Sequence, residues 1–293
     1  MRISVVIRTL NEARHLPALL AGIGQQQIGD GSCEVVLVDS GSTDGTLQIA
    51  QGHGCRIVHI KKEEFSFGRS LNVGCLAATG DVLVFVSGHC IPCAPDWLAK
   101  LVAPLGHGGV VYSYGGQVGN EGTLFSERQI FAKYFPALSQ VPQEGFYCNN
   151  ANSALLRSEW EHTRFDEELT GLEDMYLAKD LVQRGRRLAY VAEARVFHLH
   201  DEGWRQVKRR FEREAIALQR IMPEVQLGLL DVTRYAASAI WLDFGAALQE
   251  RRLGQFFSQI IAYRACQFWG AYKGNHVHRR LSRVAKERYY FPR

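Results

Sequence analysis

Two adjacent carboxylates, Glu173 and Asp174, sit in the stretch GLEDMYLAKDL, where Tyr176, Leu177 and Leu181 fall on one helical face. Acids at a helix start lie well with the helix dipole, so a structural role is open. The chemical role is a general base that takes the proton from an attacking hydroxyl. Distant in sequence are three histidines: His89 in VFVSGHCIP, and His198 and His200 in VFHLH. Each group follows an apolar run that reads as a buried strand. His198 and His200, two apart on an extended segment, point to one side. Imidazoles at such strand ends suit a divalent cation.

Three further segments are rich in polar groups. RTLNE (residues 8–12) and DSGSTDGT (39–46) each follow a β-branched run, at the strand ends where open α/β sheets bind ligands. Asp39 can accept hydrogen bonds from a base or ribose, and the Ser/Gly/Thr run supplies backbone N–H groups suited to an anion. The same residues also make an ordinary capped turn, which stays open. In FGRSLNVG (67–74), Arg69 stands at the mouth of a helix, placed to meet a diphosphate, stack beside a base, or remain solvated. No GxGxxG follows the first strand, so this is not a dinucleotide fingerprint.

The elements that must position these groups follow from periodicity. Strands are expected over 3–7, 34–38, 56–60 and 81–86, alternating with helices over 11–25, 43–53 and 68–78. That alternation indicates an α/β fold built on a mostly parallel sheet with right-handed crossovers. Beyond residue 94 the alternation loosens: helices are expected over 96–105, 124–135 and 173–184, and strands over 108–118, 146–156 and 187–197. After His200 the pattern becomes helical, over 204–221 and 232–274, and a boundary is expected near Gly203.

Hydrophobic residues make up 46% of the 293 and charged residues 22%, an ordinary globular balance. The formal charge of +4 is uneven, because residues 251–293 hold ten Lys/Arg against one acid, Glu287. Apolar positions 253, 256, 257, 260, 261 and 268 mark one face of a basic amphipathic helix there. That face suits an anionic membrane surface, the rest of the protein, or a second subunit in a homo-oligomer. Nucleic acid is not expected, since no recognition motif accompanies the charge. Neither a secretory signal nor an apolar stretch of membrane-spanning length is apparent, and the seven cysteines suit a reducing, cytoplasmic setting. Cys90 and Cys93 form one CxxC without a second pair, so packing is expected there rather than zinc.

The ordered succession VVIRTLNE, VVLVDSGSTDGT, FGRSLNVG, VFVSGHCIP, NNANSALLR, GLEDMYLAKDL and VFHLH resembles the family-2 glycosyltransferases of GT-A fold. Its flavour is that of rhamnosyltransferase-like enzymes of bacterial surface-polysaccharide assembly. The resemblance spans about residues 1–203, implying a Rossmann-like GT-A domain there and a helical, basic extension over 204–293. It implies inverting transfer of a sugar from a nucleoside diphosphate sugar to the hydroxyl of a saccharide or lipid-linked acceptor. A cytoplasmic enzyme, peripheral on the inner face of the cell membrane, would do this work.

Carried over by position, Thr9, Asn11, Glu12, Asp39 and Arg69 bind the nucleotide, and Asp174, beside Glu173, is the base. Asn149–Asn152 and Trp160 lie near the donor sugar or the acceptor. The family's Asp-x-Asp metal motif falls on Ser87-Gly88-His89, which departs from the pattern. The resemblance then implies a Mn²⁺ or Mg²⁺ site built from His89 and His198, with His200 nearby and Ser87 on the ribose or a water. The alternatives are a metal-independent site neutralised by Arg69 and helix N-termini, or a non-catalytic sugar-nucleotide-binding scaffold.

Overall fold

The computed structural model describes residues 1–277 and 288–290. The chain forms two compact units, the first comprising residues 1–120, 134–169 and 173–199. The second comprises 121–133, 170–172 and 200–293. The division thus falls at Leu199 rather than Gly203, and two earlier segments belong to the second unit.

The first unit is built on eight strands: β1 (Arg2–Thr9), β2 (Ser32–Asp39), β3 (Arg56–His59), β4 (Val82–Ser87), β5 (Cys90–Pro92), β6 (Val110–Val118), β7 (Asn152–Leu156) and β8 (Arg187–His198). They form one sheet in the order β3-β2-β1-β4-β7-β6-β8-β5. Pairing is parallel from β3 through β4, as the alternation predicts. β7 runs antiparallel to both neighbours and β5 antiparallel to β8, so the sheet is mixed. Side chains along β1 alternate between two cores, Ile3, Val5 and Ile7 on one face and Val6 on the other, as a strand buried on both sides requires.

Helices cover both faces. α1 (Leu16–Gly24), α2 (Thr46–Gly52) and α4 (Trp97–Val102) pack on one side. α3 (Phe67–Ala77), α6 (Arg157–His162) and α7 (Glu173–Gln183) pack on the other. α3 lies close to the sheet because Gly74 has no side chain. A Cβ there would fall against Val6 Cγ1 and within 2.9 Å of Val38 Cγ2.

Register brings the chemistry to one edge. Thr9 stands opposite Asp39, Asp39 opposite His59, and Arg8 opposite Ser87. β7 begins beside Val86, and Gln117 near the end of β6 is level with Val196 of β8.

Two expectations change here. The helix expected over 11–25 begins only at Leu16, because residues 11–13 use their N–H groups on Ser42, Thr46 and Asp44. The strand expected over 146–156 is reduced to Asn152–Leu156, since the asparagines ahead of it form a turn closed by Asn152 N–H on Asn149 O.

The second unit is helical, with α5 (Phe125–Tyr134), most of which it contains, α8 (Trp204–Ile221), α9 (Leu229–Gln249) and α10 (Leu253–Asn275). α8 and α10 cross closely at Gly270 and Gly274, whose missing side chains leave room for the backbone of Lys208 and Glu212. The single helix expected over 232–274 is two helices. Arg251 adopts φ +58, and the N–H groups of Arg251 and Arg252 return to the carbonyls of Leu248 and Ala247. Those bonds close a Schellman turn with arginine in the place that glycine normally takes.

Two buried carboxylates in this unit are ion-paired. Asp243 receives a two-pronged Arg264 at 2.8 Å, and Glu127 receives Arg210 at 2.6 Å and His200 at 2.8 Å. Burial opposes ionisation of Glu127, but those two donors hold its carboxyl down at about 2.

Gly74→Ala should push α3 off the sheet and destabilise the first unit by about 1–3 kcal/mol, read as a lower denaturant midpoint. An unchanged midpoint would mean that α3 does not need its close seat.

Candidate active site

The loops after β1 and β2 are laced together. Asn11 N–H donates to Ser42 Oγ at 2.9 Å, and Asn11 Oδ1 accepts Thr43 N–H at 2.8 Å. Asn11 sits at φ +59, a left-handed conformation that asparagine tolerates better than most side chains. Asp39 is buried, and its Oδ2 accepts the N–H groups of Gly41 at 2.9 Å and Ser42 at 3.0 Å. Its second oxygen lies 3.4 Å from Thr9 Oγ1. The turn reading of Asp39 is therefore real, and it gives the carboxylate a fixed place at the sheet edge.

Arg69 stands half exposed at the start of α3, 3.7 Å from Glu64 and 3.8 Å from Glu167. Helix α3 is capped by Ser66, whose Oγ accepts the Arg69 N–H at 3.1 Å.

The acidic pair divides its roles by environment. Glu173 is paired with Arg8 at 3.1 Å, and the Arg8 guanidinium also lies over the Phe67 ring. Asp174 is buried; its Oδ2 accepts the Asn150 N–H and its Oδ1 the Met175 N–H, both at 2.7 Å. Burial, then the neighbouring Glu173 charge, push the Asp174 carboxyl up to about 7, against the pull of those N–H groups and Arg8. Leu172, just before the pair, takes φ +55, a strained conformation for leucine.

His89 and His198 come together, with their Nε2 atoms 3.2 Å apart and their rings nearly parallel. Their outer nitrogens are assigned by the groups they meet. His89 Nδ1 lies 2.9 Å from a carboxylate oxygen of Glu12, so it carries the proton. For His198 the assignment runs through a short chain. Asn149 Oδ1 accepts the Ala151 N–H, which fixes that atom as oxygen, and Gln117 Nε2 donates to it at 3.0 Å. Gln117 therefore turns its Oε1 toward His198 Nδ1, at 2.6 Å. With both Nδ1 atoms turned to acceptors, the two Nε2 atoms face each other.

Two lone pairs at that distance repel unless a proton or a cation lies between them. Metal–nitrogen bonds of roughly 2.1 Å separate neighbouring ligands by about 2.9 to 3.4 Å, so the pair fits one cation. Glu12 and Gln117 stand behind the two rings, where the outer partners of a metal-binding histidine would stand. Gly88 makes room for this arrangement, since a Cβ there would lie 2.8 Å from Glu12 Cγ.

The succession of strand-end groups has counterparts among known proteins. A family model described as Glycosyl transferase family 2 matches residues 4–165, more than half of the chain. The chain belongs to glycosyl transferase family 2. It is 27% identical over 215 residues to the O-antigen chain rhamnosyltransferase RfbN of Salmonella typhimurium, covering 69% of this chain and 67% of that one. It is 38% identical over 107 residues to a PGL/p-HBAD biosynthesis glycosyltransferase of Mycobacterium bovis, covering 35% of this chain and 41% of that one. Among solved structures it resembles the mannosyltransferase PcManGT from Pyrobaculum calidifontis, in complex with GDP-Man and Mn²⁺. The TM-score there is 0.62 at 18% identity, covering 99% of this chain and 87% of that one, a likeness of fold. The fold is GT-A.

Within this glycosyltransferase the expected residues do not all stay at the sheet edge. Trp160 is buried beneath the sheet with its N–H on Asn72 Oδ1 at 3.0 Å, so it is a core residue rather than a sugar contact. Asn152 is likewise structural: it accepts the Trp97 N–H and donates to the Gly116 and Ala194 carbonyls. His200 belongs to the second unit, on Glu127. Glu127, His200 and Glu202 also converge closely enough for a cation, but Arg210 already pairs with both carboxylates. All seven cysteines are free thiols, with Cys90 buried and Cys93 exposed.

Arg8 and Gln117 gained roles that sequence reading did not assign, and Asn150, expected near the donor sugar or the acceptor, holds Asp174 through its N–H. Arg8 opens the quoted RTLNE motif and Asn150 lies within NNANSALLR, so their positions carried a signal. Gln117, inside a strand of mixed character, carried none.

Because the folded state holds the Asp174 proton more tightly than the unfolded chain, this group lowers stability as pH rises from about 4 to about 7. Asp174→Asn should therefore raise the melting temperature relative to the parent at pH 8 and have little effect at pH 4. An equal shift at both values would contradict a raised Asp174.

Proposed function

We propose that this family-2 enzyme is an inverting glycosyltransferase. It moves a sugar from a nucleoside diphosphate sugar to an acceptor hydroxyl, with Asp174 as general base. The observation that carries the reading is the buried Asp174 carboxyl, raised to near neutrality and aimed by two backbone N–H groups. A base with that affinity for protons can take one from a hydroxyl during attack and is regenerated near physiological pH. The acceptor oxygen bonds to the anomeric carbon as the bond to the diphosphate oxygen breaks. Asp174 keeps the proton, and the nucleoside diphosphate leaves from the opposite face. Arg8 holds Glu173 to one side, so that a single carboxyl of the pair meets the acceptor.

Thr9, Asn11 and Asp39 are proposed to cradle the nucleoside, Arg69 its phosphates, and Ser87 the ribose or a bound water. His89 and His198 would hold the divalent cation, Mn²⁺ or Mg²⁺, with Glu12 acting through His89 beside the nucleotide. A cation there stabilises the charge that develops on the leaving diphosphate. His200 is proposed as a further ligand on its sequence spacing alone. The donor is proposed to carry a hexose or deoxyhexose, and the product to enter bacterial surface polysaccharide or glycolipid. The rhamnosyltransferase relative supports that class. A lipid-linked acceptor, a peripheral station on the inner membrane face and self-association complete the reading. The basic tail supports the membrane station, although residues 278–287 and 291–293 lie outside those described.

Asp174→Asn should abolish transfer, by about 10²–10⁴-fold, while leaving nucleoside diphosphate binding largely intact. The parent rate should fall as pH drops through about 7 and Asp174 is protonated. Near-normal turnover in the variant would overturn the assignment.

The metal pair has its own readout. In a thermal-shift panel of UDP, GDP and dTDP with and without Mn²⁺, one nucleotide should stabilise the parent more when Mn²⁺ is present. His89→Ala and His198→Ala should each lose that increment. If the increment survives both substitutions, the histidines do not bind the ion.

A further inference from the structure

Helix α9 is amphipathic in an unusual sense. The face it turns inward carries an ionised group, Asp243, fully paired with Arg264 and Ser126. Beside Asp243 it packs Ile240, Phe244 and Ala247 against Phe125 and Ile260. The face it turns outward is apolar. Leu230 is 85% exposed, Trp241 78%, Leu242 68% and Leu248 65%. Leu230, Arg234, Ala237, Trp241 and Leu248 fall on one stripe, separated by whole turns of helix. The surface continues onto α10 through Phe257, half exposed and stacked on Phe244 at 5.0 Å, and through Ile261. Single exposed leucines are ordinary, but a continuous outward stripe capped by a tryptophan marks a surface with a partner.

This is not the stripe that sequence periodicity selects. Of the α10 positions named there, Ile260 is buried and Leu253 and Phe256 pack in the unit's own core, leaving Phe257 and Ile261 outward. α10 therefore uses most of its apolar face internally, and α9 supplies the free one.

We infer that the outward face of α9, continued by Phe257 and Ile261, is the surface by which this chain lies on an anionic lipid bilayer. The inference rests on the peripheral-membrane reading above and assigns it to named residues. Charge complementarity selects the occupant. Arg234 stands within the stripe, and Arg251 and Arg252 are exposed at the turn that joins α9 to α10. An anionic headgroup layer meets that charge, whereas a second copy of the chain would bring an equal positive charge against it. Trp and Leu on the stripe suit the boundary between headgroups and acyl chains, where an indole ring has both an apolar body and a polar N–H. Among the described residues no helix is long and apolar enough to cross a membrane, so the contact made by α9 is one of lying on the surface.

The test uses the full chain and sedimentation with vesicles of phosphatidylcholine alone or mixed with phosphatidylglycerol. The parent should partition onto the anionic vesicles, release in high salt, and show a blue-shifted tryptophan emission that Trp241→Phe diminishes. A triple variant, Leu230→Ser, Trp241→Ser and Leu248→Ser, should lose at least about tenfold in partitioning at an unchanged melting temperature. Arg234→Gln with Arg251→Gln and Arg252→Gln should weaken binding to the anionic vesicles. Equal binding by the triple variant would overturn the inference. So would a concentration-dependent dimer of the parent, seen by light scattering, that the triple variant abolishes. Slow hydrolysis of donor sugar in vesicle-free buffer reports separately on the transferase reading. The triple variant should keep it, and its absence from the parent would sink that reading while the vesicle result stood.

Discussion

Much of the first unit's chemistry turns on one buried carboxyl. Asp174 can be hidden from water only because two backbone N–H groups, from Asn150 and Met175, meet its oxygens. It can be hidden beside a second acid only because Arg8 takes the charge of Glu173. Remove either support and two carboxylates would share a low-dielectric site, which costs more than a domain can ordinarily spare. The sheet is arranged around this need. β1 ends in Arg8 and Thr9, β7 starts just after Asn150, and α7 begins at the pair itself. A carboxyl raised this way is a destabilising element kept for what it can do, and the strained Leu172 next to it belongs to the same pattern.

The histidine pair is a second case in which neighbours fix what a group can do. In a neutral protein each imidazole would turn its proton to relieve the Nε2 contact. Here Glu12 and Gln117 hold the protons on the far sides of both rings. The orientation of Gln117 is itself imposed by Asn149, in the turn that also carries Asn150. The turn ahead of β7 therefore touches both groups, Gln117 behind His198 and the carboxyl of Asp174, and a change in that turn reaches both. In Ser87-Gly88-His89 the glycine is what admits Glu12 to the imidazole.

A good share of this was legible in the residues. Parallel β1, β2, β3 and β4 were readable because each is a short β-branched run bounded by helical spacing, and that periodicity is local. The strand-end motifs were readable because carboxyl ends of parallel strands share an edge by topology alone. Boundaries failed where long-range hydrogen bonds won over local propensity. Asn11–His15 has helical spacing but its first N–H groups bond to the neighbouring loop. Residues 146–151 are apolar and polar in a strand-like mixture, yet they turn to place Asn150 against Asp174. Arg251 broke a helix that spacing predicts to continue, with a left-handed residue that no glycine announced.

Order of motifs along the chain determined the family, the sheet type and which residue types could act, because these depend on spacing and composition within short segments. Only the tertiary structure decided how those residues divide their tasks. Burial and two N–H groups separated Asp174 from Glu173; Glu12 set the proton on His89, and Gln117, held by Asn149, set that on His198. Packing turned Trp160 and Asn152 inward and left the face of α9 outward. Each of these is a matter of what lies across from a side chain in space, and linear spacing carries no information about that.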